Sequence, residues 1–104
     1  MASFAEIRER ALAVRRRYAE LEPRTYGREW SGGELALGLV GDVGDLAKLV
    51  QAREGVRAID DAEARLAHEL ADCLWSIVVL AERYGVDLER AFGETMAELE
   101  AQLA

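Results

Sequence analysis

Glu69-Leu70-Ala71-Asp72-Cys73-Leu74-Trp75-Ser76-Ile77-Val78-Val79-Leu80-Ala81 is apolar on nearly every side of a helix, yet a carboxylate stands inside it. A helix apolar all round belongs in a core, and the run falls short of the roughly 20 residues that span a bilayer. A lone buried carboxylate is costly and needs a partner. Glu69 precedes Asp72 by three residues, close to one helical turn, so the two acids share a side. Upstream, Leu39-Val40-Gly41-Asp42-Val43-Gly44-Asp45-Leu46 repeats the same step with Asp42 and Asp45. The segment between Asp45 and Glu69 is long enough to finish one helix, turn, and return antiparallel. The two pairs then face each other across one groove. Four acids so placed repel unless a cation sits among them. Oxygen donors alone suit Mg2+, or Mn2+, rather than zinc.

Working outward, the spacing predicts four helices and no strand. Ser3-x-x-Glu6 forms a capping box. It is followed by a stripe of Phe4, Ile7, Ala11, Val14, Tyr18 and Leu21 on a first helix ending near Pro23. Arg8, Arg10, Arg15, Arg16 and Arg17 lie between the stripe positions and read as a solvated face. Residues 22 to 33 read as a loop. Ser31-x-x-Glu34 opens a second helix to about Arg53, with Gly55 as its stop. Asp60-x-x-Glu63 is expected to cap a third helix ending at Tyr84-Gly85. Asp87 is expected to cap a last one, with Leu88, Ala91, Phe92, Met96, Leu99 and Leu103 on its buried side. Gly38, Gly41 and Gly44 are helix-interior glycines, each costing about 1 kcal/mol relative to alanine. Either another helix packs closely there, or the backbone is left open to a ligand.

The 104 residues amount to one domain, 1–104, with a core small enough to gain from oligomerisation. A net charge of −7 argues against binding a nucleic-acid polymer. The start lacks a signal pattern, and no membrane partner is expected. Cys73, the sole cysteine, reads as a reduced core thiol of a cytoplasmic protein. His68, the sole histidine, gives no support to a Ser-His-Asp triad. No histidine follows Glu69 at the di-iron spacing, and there is no phosphate-binding G-x-x-x-x-G-K-[ST] loop.

Asp42-Val43-Gly44-Asp45 and Glu69-Leu70-Ala71-Asp72, with the spacer between them, resemble the acidic motifs of the MazG-like, all-α nucleoside triphosphate pyrophosphohydrolases. The run from Leu39 to Leu46 is similar to the segment of dCTP pyrophosphatases, with both glutamates shortened to aspartate. Tyr84-Gly85-Val86-Asp87-Leu88 resembles the family's opening of the following helix. The resemblance implies an antiparallel four-helix bundle that forms a homodimer or homotetramer. It implies cleavage of a nucleoside triphosphate to monophosphate and pyrophosphate. Asp42, Asp45, Glu69 and Asp72 would hold Mg2+, and Asp42 or Asp45 would orient the attacking water. Trp30 is a candidate to stack on a base, and Lys48 and Arg28 are candidates to meet phosphates. In close relatives the last helix supplies basic residues, whereas Glu94-Thr95-Met96-Ala97-Glu98-Leu99-Glu100 has none. The alternative is therefore a non-catalytic member that binds a nucleotide or a partner.

Overall fold

The computed structural model describes residues 2–104; Met1, where the expected domain begins, lies outside them. Four helices follow in order: α1 (Phe4–Tyr26), α2 (Gly32–Arg53), α3 (Ala62–Arg83) and α4 (Leu88–Leu103). No strand occurs among the described residues. The capping boxes at Ser3 and Ser31 form as the sequence predicts, each hydroxyl accepting from the backbone N–H three residues on.

Two boundaries and the packing of the last helix differ from expectation. Helix α1 runs through Pro23 to Tyr26, so residues 22 to 26 are not loop. Pro23 forfeits one helical hydrogen bond and crowds the carbonyl one turn before it, but it stands in the last turns, and the helix ends where Gly27 takes the left-handed conformation (φ 81°) and donates to the Pro23 carbonyl. The third helix is not capped by Asp60. Asp61 holds the N-cap position with φ 55° and no side-chain cap bond, because the chain enters α3 through a tight left-handed turn. The expected four-helix bundle is a three-helix core with α4 standing off it. No residue of α4 is buried, and Phe92 is 64 % and Leu103 86 % exposed. Leu88, Ala91 and Met96 are half-buried, and the rest of its apolar side is open.

The principal seam joins α2 and α3 in antiparallel fashion, with α1 laid against α3. Leu49 and Val78, each 2 % exposed, anchor the core together with Leu12, Leu35, Cys73 and Val79. At one end of the seam, Gly32 of α2 meets the end of α3 so closely that a Cβ would fall 1.9 Å from the Tyr84 hydroxyl. At the other end Arg53 pairs with Glu63 at 3.7 Å. This pairing sets Asp42, near the middle of α2, against Glu69 and Asp72 on α3. Gly38, Gly41 and Gly44 have open space around the position of a Cβ, so no helix of this chain packs on them.

Candidate metal centre and adjoining cleft

Asp42, Glu69 and Asp72 each offer a carboxylate oxygen, and the three oxygens lie within 4.8 Å of one another. All three residues are half-buried. Burial, reinforced by Asp72 and Asp45, raises the Asp42 carboxyl above its ordinary value. Burial, reinforced by Asp42, Asp72 and Asp45, does the same for Glu69. Glu69 Oε2 is buried and has no hydrogen-bond partner. A native structure rarely leaves such an atom unsatisfied without a missing water or ion. Opposed ligands of Mg2+ stand about 4.2 Å apart, twice its bond length, so the three oxygens would draw in by a few tenths of an ångström to hold it, and their all-oxygen chemistry suits a hard divalent cation.

Asp45 lies one turn along α2 on the exposed side, outside the group of three, and contributes charge from there. His68 Nε2 lies 3.1 Å from Asp72 Oδ2, one turn earlier on the exposed side of α3. The buried Cys73 thiol beside the cluster is pushed up by burial and then by the charges of Asp42, Glu69 and Asp72.

The centre opens onto a cleft of about 620 Å³ between α1 and the α2–α3 pair, with Asp42 and Asp72 in its wall. That volume suits a small organic ligand. Tyr18, Tyr26, Trp30 and Trp75 supply aromatic surface. The rings of Tyr18 and Trp75 meet edge-on at 5.9 Å, and those of Tyr26 and Trp30 are tilted at 5.7 Å. Trp75 Nε1 donates to the Ala11 carbonyl at 3.1 Å, fixing the indole against α1. Flat aromatic faces of this kind stack on nucleobases.

Of the three residues expected to contact substrate, Trp30 lines the cleft and Lys48 and Arg28 do not. Lys48 is exposed on α2. Arg28 is engaged by Glu34, with Nη2 to Oε2 at 3.2 Å. Sequence reasoning missed Tyr18, Tyr26, Arg15 and Glu22. Arg15 does not belong to the solvated face: it is ion-paired within the cleft wall to Glu22. Its seven-residue separation from Glu22 was the available signal, since two turns return to the same side.

Three carboxylates from two antiparallel helices thus stand beside an aromatic cleft in an all-helical protein. The model of the MazG nucleotide pyrophosphohydrolase domain matches residues 33–102, and the chain belongs to that family. It is similar to dCTP pyrophosphatase 1 of Rattus norvegicus, at 41 % identity over 87 residues, covering 75 % of this chain and 49 % of the relative. The chain thus spans about half the length of that relative. No solved structure matches it. No helix among the described residues is long and apolar enough to cross a membrane.

Proposed function

We propose that this chain is a Mg2+-dependent hydrolase that cleaves a nucleoside triphosphate to monophosphate and pyrophosphate. The observation that carries it is the unpartnered Glu69 oxygen beside Asp42 and Asp72, at the edge of an aromatic cleft. The base lies among Tyr18, Tyr26, Trp30 and Trp75, and the phosphates run towards the carboxylates. A bound Mg2+, or Mn2+, supplies neutralisation of the triphosphate and polarisation of the attacked phosphorus. Water adds to the α-phosphorus, the bond to the bridging oxygen breaks, and pyrophosphate leaves. Asp42, which offers an oxygen to the centre and also lines the cleft, is suited to accept the proton of that water. Asp45, one turn away, helps orient the water. The name of the rat relative makes dCTP the first substrate to try.

The assay follows a panel of ribo- and deoxyribonucleoside triphosphates with Mg2+, looking for monophosphate and pyrophosphate. Asp45→Ala and Glu69→Ala each abolish turnover while the helices persist. Release of single phosphate places the chain in another enzyme class. The second reading, a non-catalytic nucleotide or partner binder, rests on α4: its only cation, Arg90, is occupied by Glu94 at 2.8 Å. Binding without turnover of any triphosphate would decide for it. We further propose a cytoplasmic homodimer or homotetramer, in which the unpartnered apolar faces are covered.

A further inference from the structure

The cleft contains one polar device that the reaction above does not use. Arg15 and Glu22 stand two turns apart on α1, facing each other in a forked pair, Nη1 to Oε2 at 2.5 Å and Nη2 to Oε1 at 2.9 Å. Glu22 is 5 % exposed. Its Oε1 also accepts from the backbone N–H of Trp30 at 2.8 Å. Trp30 belongs to the Gly27–Ser31 connection between α1 and α2, which has no helical ladder of its own. The Trp30 N–H therefore depends on a side chain from α1 for its partner. Replacing a buried ion pair with apolar groups of similar volume is often neutral for stability. What apolar groups would not replace here is the oxygen that Trp30 requires.

We propose that the Arg15–Glu22 pair is a positioning device: it holds Trp30 in place as one wall of the cleft and thereby sets the affinity for nucleotide. Arg15 orients the Glu22 carboxylate, the carboxylate fixes the Trp30 backbone, and the indole is held beside Tyr26 at the stacking surface. The pair's hydrogen bonds run to each other and to Trp30, and none runs to Asp42, Glu69 or Asp72. It thus acts on substrate binding and not on the chemical step. The proposal rests on the pyrophosphohydrolase reading.

The test compares wild type with the double variant Arg15→Met/Glu22→Leu, which removes the pair without leaving a buried unpaired charge. Its KM for dCTP should rise about tenfold, with kcat and Mg2+ affinity within about twofold of wild type, because only placement of the stacking wall is lost. Trp30 amide protection from hydrogen exchange should fall in the same variant. Glu22→Gln has a single carbonyl oxygen to share between Arg15 and Trp30, and should raise KM about threefold. An unchanged KM in the folded double variant overturns the proposal, as does a loss confined to kcat. If the double variant does not fold, a cycle of Glu22→Gln with Trp30→Ala decides. No further rise in KM beyond that of Trp30→Ala supports the proposal, and independent additive rises overturn it. A wild type that neither turns over dCTP nor quenches its tryptophan fluorescence on adding dCMP removes the pyrophosphohydrolase reading and this proposal with it. Equal nucleotide binding by wild type and variant removes this proposal alone.

Discussion

Glu69 is a residue whose placement, on the proposed reading, favours a ligand at the expense of the apo fold. One of its oxygens is buried without a partner, and its neighbours are acids. Glu69→Gln removes that repulsion, so without metal the variant should melt at or above the wild-type temperature. Mg2+ at a hundred times its Kd should stabilise wild type by about 2.7 kcal/mol through mass action, and most of this gain should vanish in Glu69→Gln. Thermal melts in chelator and in Mg2+ provide the comparison, and identical wild-type melts in the two would remove the cation site. Asp72 made this centre legible in the sequence, because a carboxylate within an apolar helix requires an explanation. Glu22 was not legible, because it sits beside a proline that reads as the end of a helix. Its burial depends on Arg15 and Trp30 converging from different segments.

The connection between α1 and α2 carries the pH dependence of the element scale. Glu22 is held below its ordinary value by Arg15 and then by the Trp30 N–H, against burial. The exposed Glu34 is held down to about 2, chiefly by Arg28 and then by Ser31. A depressed folded value means that the contribution is complete above the unfolded value of 4.5 and is lost as pH falls through the folded value. Asp42 and Glu69 have the opposite sign: their folded values are raised, so protonating them favours the native state as pH falls. Chelated protein should therefore melt highest at mildly acidic pH. Below about 4.5 tryptophan fluorescence should change as the Gly27–Ser31 connection loosens. A flat melting profile between neutrality and pH 5 would contradict the first of these. The helices themselves were legible from their periods and two Ser-x-x-Glu boxes. The entry to α3 was not, because a left-handed residue at Asp61 supplants the side-chain cap that Asp60-x-x-Glu63 suggests.

On the scale of the whole molecule, the chain is more open than its length requires. Its radius of gyration is 16.3 Å, against about 13 Å for a compact domain of this size. Leu37 and Val40 of α2, Leu70 and Leu74 of α3, and Phe92 and Leu99 of α4 are all exposed. The proposed assembly would cover this apolar surface, closed symmetry being the common way to do so. Light scattering at micromolar concentration should give a dimer or tetramer mass, with a melting temperature that rises with protein concentration. A monomer mass with a concentration-independent melt would remove the assembly. The apolar stripe of α4 was legible, but periodicity records only that a face is to be covered. It carries no information on whether the cover belongs to the same chain.

The open glycines of α2 turn that question into a sign. Gly38, Gly41 and Gly44 have room for a methyl group in the isolated chain. Alanine there spares the unfolded chain's entropy and should stabilise the solitary helix by about 0.5 to 1 kcal/mol per site. Where a neighbouring copy closes over the same backbone, each methyl instead becomes an obstruction and weakens association. Melts of the three alanine variants across a dilution series should therefore cross: above wild type when dilute, below it when concentrated. The position that does so most sharply would lie nearest the line of contact in the proposed assembly, so a side chain the protein lacks becomes a ruler for a neighbouring copy.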